Sequence, residues 1–95
     1  MDKVSQQLEE AATNWLISMR LAEGFNEAQF KTLVAAIRRC HKNWADSEML
    51  PKSVVATLID LPRIVESCAA LYKGAEQQRI IDASHELVDV ILEGF

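Results

Sequence analysis

The 95 residues are 49% apolar and 25% charged, with only three glycines and two prolines. That is ordinary globular composition, enough for one domain spanning residues 1–95 and too short for two. The net charge of −4 argues against nucleic acid as a partner, because neutralising phosphates is the main source of that affinity.

No segment reaches the roughly 18 apolar residues needed to cross a bilayer, and the first dozen residues carry no signal-like apolar run. The expectation is a cytoplasmic protein with no membrane role. Scarce turn material implies a few long helices joined by short connections. Cys40 and Cys68, the two cysteines, are too few for a disulfide scaffold and wrongly spaced for zinc. They read as reduced, buried, small apolar residues.

The first helix is expected over about residues 2–22. Val4, Leu8, Ala11, Ala12, Trp15, Met19 and Ala22 step by three and four and share one side. Gly24 is expected to end it with a left-handed residue. Ile17 and Leu21 fall outside that face, so they read either as isolated exposed aliphatics or as a small contact patch.

Asn26 with Gln29 three residues later has capping-box spacing, opening a second helix to about residue 45. Phe30, Leu33, Val34, Ile37, Cys40, His41 and Trp44 face inward. Lys31, Arg38 and Lys42, with Arg39 beside them, form a basic strip that is either a solvated face or a set of partners for acids on another helix. His41 reads as a hydrogen-bonded histidine of the core or its boundary.

Residues 46–51 connect to a third helix over about 52–73, where Pro51 suits the first turn. Val54, Leu58, Leu61, Val65, Cys68, Ala69 and Tyr72 keep one helical phase through Pro62. The helix is therefore expected to kink there, with a split at Leu61-Pro62 as the other outcome. Gly74 breaks the chain before the last helix, residues 75–95. The fold class is all-α, a four-helix up-down-up-down bundle.

The charge imbalance sits in that last helix. Residues 1–74 hold nine basic and nine acidic side chains, whereas the remainder sets Arg79 against Glu76, Asp82, Glu86, Asp89 and Glu93. Ile80, Ser84, Leu87, Val88 and Ile91 form its apolar face. Asp82, Glu86, Asp89 and Glu93, spaced by four, three and four, form an acidic stripe opposite.

Asp82, His85, Glu86 and Asp89 place carboxylates around an imidazole, but one helix offers few ligands for a cation. Glu86-Leu87-Val88-Asp89 resembles the E-x-x-D helix of the all-α nucleotide pyrophosphohydrolases of the MazG-like family. Glu9 and Glu10 resemble the opening pair of that family's E-E-x-x-E motif, although Thr13 stands where the third glutamate belongs. The resemblance implies a helical bundle that binds magnesium and cleaves nucleoside triphosphates. Cys40 and His41 are adjacent and diverge by about 100° on a helix, so they make no local nucleophile–base pair.

By elimination the leading expectation is a non-enzymatic protein–protein interaction module with no cofactor and no metal. Its acidic stripe would meet a basic protein surface, in the manner of an inhibitor, an immunity-type neutraliser, an adaptor or a chaperone. Ile17 and Leu21 would add a second contact, to that partner or in a homodimer.

Overall fold

In a computed structural model, which describes residues 3–45 and 52–94, four helices and no strand make up the described chain. They are α1 (Lys3–Arg20), α2 (Glu27–Trp44), α3 (Lys52–Cys68) and α4 (Gly74–Leu92), with a 3-10 turn at Ala69–Leu71 after α3. The expected all-α four-helix bundle is the observed fold.

Helix α1 buries Ser5, Leu8, Ala12, Trp15 and Met19, the three-and-four ladder that the apolar spacing dictates. Its end differs from expectation. The Glu23 N–H donates to the Ser18 carbonyl at 3.0 Å and the Ala22 N–H to the Met19 carbonyl at 3.1 Å. These are the two bonds of a Schellman motif, and its left-handed residue is Ala22, with φ 56°. Gly24, at φ 103°, lies beyond the cap, so Ala22 leaves the apolar face and is exposed.

Helix α2 starts where Asn26 accepts the Gln29 N–H at 2.9 Å, which satisfies one of the orphan donors of the first turn. Phe30, Leu33, Ala36, Ile37, Cys40 and Trp44 are buried, while His41 is half-buried at the boundary. The His41 Nε2 lies 3.0 Å from the Val90 carbonyl. A Cβ at Gly94 would overlap that ring.

Helix α3 runs unbroken past Pro62 to Cys68, so the chain takes the continuous helix rather than the split. It stops short of residue 73, tightening into the 3-10 turn and then two extended residues, Tyr72 and Lys73. All seven apolar positions expected to face inward are buried. In α4 the inward set is Ile80, Ala83, Ser84, Leu87, Val90 and Ile91. Val88, expected inside, is 41% exposed. It sits about 80° round the helix from Ile80, on the flank away from Val90.

The main packing pairs are α1 with α2, α3 with α4, α1 with α3, and α2 with α4. Arg39 on Gln7 and the Cys40 thiol near the Val4 carbonyl set the end of α2 beside the start of α1. Across the bundle like runs beside like. Thr57 bonds Glu9 and Tyr72 bonds Met19, so α1 and α3 share a direction. Arg79 bonds Glu27 and Arg38 bonds Glu93, so α2 and α4 do too. Short connections led to the expectation of antiparallel neighbours throughout, but α2 and α3 are not among the main pairs. The flank of α2 that carries Phe30, Arg38 and His41 finds its partners on α4 instead.

One end of the bundle is clasped. The Tyr72 hydroxyl donates to the Met19 carbonyl at 2.9 Å and accepts the Gly24 N–H at 3.1 Å. Glu76 accepts the Phe25 N–H at 3.0 Å. Phe25 and Phe30 then close on fully buried Trp15, with ring centroids 5.7 Å and 5.2 Å away. Cys40 and Cys68 are both buried, and neither is in a disulfide.

Two stability changes follow. Trp15→Ala is expected to cost roughly 3–5 kcal/mol in urea denaturation, the usual range for emptying a buried aromatic site; a loss below about 1 kcal/mol would mean the aromatic cluster is not the core. Ala22→Gly is expected to stabilise by about 0.5–1 kcal/mol, because the left-handed penalty on Ala22 exceeds the extra chain entropy of glycine. An unchanged or lower midpoint would show that Ala22 is not the capping residue in solution.

Candidate functional site

The charged stripes expected on the second and fourth helices lie side by side. Between α2 and α4 runs a groove of about 780 Å³, floored by Phe30, Val34, Ala35 and Val90 and rimmed by Lys31 and Arg38 on α2 and by Glu86, Asp89 and Glu93 on α4. Beyond the Glu27–Arg79 pair at one end, each rim has one sign, because each helix repeats that sign at intervals of three, four and seven.

Arg79 closes one end of the groove. Its Nε and Nη2 donate to the two Glu27 oxygens at 2.6 Å and 3.1 Å, a bidentate pair. Its Nη1 donates to Glu86 at 3.1 Å. The same guanidinium carbon lies 4.7 Å from the Phe25 ring centroid and 5.3 Å from that of Phe30, within cation–π range. With its side chain only 30% exposed, Arg79 has its pKa raised, first by the Glu27 hydrogen bond and then, against burial, by Glu86. In return the Arg79 hydrogen bond lowers the Glu27 carboxyl below its ordinary value.

At the other end Arg38 forks onto Glu93, both contacts at 3.2 Å. The Arg38 pair lowers the Glu93 pKa, and Glu93 raises that of Arg38. Both side chains are at least half exposed, so this bridge contributes far less than the Arg79 cluster.

All four acids expected to meet a partner are exposed on one side of α4, but they are not equivalent. Glu86 and Glu93 are bound to Arg79 and Arg38. Asp82 accepts a hydrogen bond from the Gln78 side chain at 2.9 Å. Asp89 forms no ion pair among the described residues. Ile17 and Leu21 are 49% and 66% exposed, yet they lie on α1, which is not a main neighbour of α4. One surface therefore gathers the acids, and a separate one holds the aliphatics. Ile59, Leu71, Val88 and Leu92 are also large exposed apolar residues. Helical phase set Ile17 and Leu21 apart from the core, but single exposed aliphatics are common on any surface and do not by themselves mark a contact.

The carboxylates that resemble a magnesium motif do not converge. Glu9 accepts from the Thr57 hydroxyl at 3.1 Å and Glu10 from Gln6 on its own helix, while Glu86 and Asp89 rim the α2–α4 groove. Among the described residues no three His, Cys, Asp or Glu side chains come together as a metal site. None of the described helices is long and apolar enough to cross a membrane. Compared with known proteins, the chain shows no significant match to a family model, a curated protein or a solved structure.

The two arginine–glutamate ties give a pH signature. The folded pKa values of Glu27 and Glu93 lie below the reference value of 4.5. Their contribution to stability is therefore complete above that value and is lost as pH falls through the folded values. In thermal melts across pH, Glu27→Gln with Glu93→Gln is expected to lower the midpoint near neutrality. The gap to the parent protein should close as pH drops below 4.5. A gap of constant size would assign the loss to packing rather than to charge.

Proposed function

We propose that this chain is a non-enzymatic protein-interaction module whose docking surface is the acidic side of α4, and that its partner presents a basic surface. The observation carrying this reading is the arrangement of four acids, Asp82, Glu86, Asp89 and Glu93, on one exposed side of a helix whose other side is locked into the core. An exposed single-sign row on a rigid element steers association and sets register. The neutraliser, adaptor and chaperone versions share this chemistry; a neutraliser leads because it needs only complementarity. Two buried cysteines outside any disulfide suit a reducing compartment such as the cytoplasm.

Within the row, Asp82 and Asp89 are the acids that an incoming cation meets without breaking an internal ion pair. Glu86 and Glu93 already bind Arg79 and Arg38, so a partner must compete for them. Ile17 and Leu21 are a second, separate contact surface in this reading.

The test is capture from host lysate on the immobilised protein beside an Asp82→Lys, Asp89→Lys variant, with circular dichroism showing unchanged helicity. The expected result is a basic protein retained in low salt, released in about 1 M salt, where charges are screened beyond ~3 Å, and not retained by the variant. Equal retention by both proteins would make the acid row a solvated face and remove this reading.

A further inference from the structure

We infer that the α2–α4 face is self-complementary and docks a second copy of this chain, with the basic row of α2 against the acidic row of the partner's α4. This rests on the reading above that the α4 row is an interaction surface, and it names a second occupant for it: the protein itself.

The argument is one of sign, direction and register. Beyond the Glu27–Arg79 pair at its start, the exposed row of α2 holds Lys31, Arg38 and Lys42, all positive, and the neighbouring exposed row of α4 holds Asp82, Glu86, Asp89 and Glu93, all negative. The two helices run in the same direction, tied at Glu27–Arg79 and Arg38–Glu93, pairs separated in sequence by 52 and 55 residues. A two-fold axis parallel to the helices turns this face onto itself, laying each α2 over the partner's α4 with heights along the axis preserved. An axis across the helices would set α2 on α2 and oppose like charges. Symmetry and charge thus select one closed arrangement, an isologous pair.

Register agrees with it. The tie offset places Lys31 level with residues near 84, within about one 5.4 Å turn of Asp82. It places Arg38 level with residues near 91, between Asp89 and Glu93. Lys31 forms no hydrogen bond or ion pair among the described residues, and Asp82 has only the Gln78 amide. Both are therefore available to pair across the axis without loss of an internal bridge. The groove floor of Val34 and Ala35 supplies the apolar surface that such charged rims enclose.

The experiment is sedimentation velocity of the full chain at about 10 mM salt, where the Debye length is ~30 Å, and at about 1 M salt, where it is ~3 Å. The expected result is a species of twice the 10.7 kDa chain mass in low salt that dissociates in high salt. Lys31→Glu and Asp82→Lys should each sediment as monomers, because each faces like charges twice across the axis. An equimolar mixture of the two should recover the dimer, since both contacts in that heterodimer pair opposite charges. A monomeric parent protein, single variants that dimerise like the parent, or a mixture that stays monomeric would each overturn the proposal. Lys31→Glu also separates the two readings. It leaves the α4 acids intact, so retention of a basic partner by this variant without self-association would sustain the function and remove the second copy.

Discussion

The bundle depends on one charged side chain placed against its aromatic core. Arg79 joins the two helical hairpins at a point where no backbone connection does, bridging α4 to Glu27 on α2 while covering Phe25 and Phe30. Partial burial of a guanidinium is unfavourable in isolation. Here two carboxylates accept three of its N–H groups and two ring faces take part of its planar surface. A lysine could not supply the bidentate fork or the flat stacking surface. Arg79 therefore acts as a packed element of the core edge as well as an ion.

That placement follows from the clasp next to it. Tyr72 and Glu76 hold the backbone of Gly24 and Phe25, which turns the Phe25 ring toward Trp15 and brings the start of α2 beside the start of α4. Once those two starts are adjacent, the helices run in the same direction, and the same register carries Arg38 to Glu93 and His41 to the Val90 carbonyl. The parallel α2–α4 contact is a consequence of how the α1–α2 loop is pinned.

The helices themselves were legible from apolar spacing, most completely in α3, where every expected inward residue is buried. Periodicity fails where two flanks of a helix are equally apolar. Val88 and Val90 lie on opposite flanks of the α4 core face, and only the arrival of α2 on one side decides that Val90 is covered and Val88 is not. The cap at Ala22 was hidden for a related reason. Glycine is the residue of choice in a left-handed cap, so Gly24 carried the signal while hydrogen bonds to Ser18 and Met19 placed the cap two residues earlier. Short connections foretold the α1–α2 and α3–α4 hairpins but not the α2–α4 contact, which rests on pairs more than fifty residues apart, such as Arg79 with Glu27 and Arg38 with Glu93.

The candidate site shows the same division. The acidic row could be read directly from the spacing of Asp82, Glu86, Asp89 and Glu93, and the basic row from Lys31, Arg38 and Lys42. The spacing left open whether the basic strip is solvated or meets acids on another helix, and the fold decides it by setting the rows side by side with Arg38 bound to Glu93. Intramolecular pairing is favoured because both helices are fixed in place, so Arg38 and Glu93 lose little freedom on meeting. An external partner must offer more than a charge of the right sign. It must engage Asp82 and Asp89 with several cations at once, or present acids to α2 together with bases to α4. A surface with both rows at matched heights meets the second requirement, which is why segregated charge on two parallel helices discriminates more strongly than the same charges scattered over the bundle.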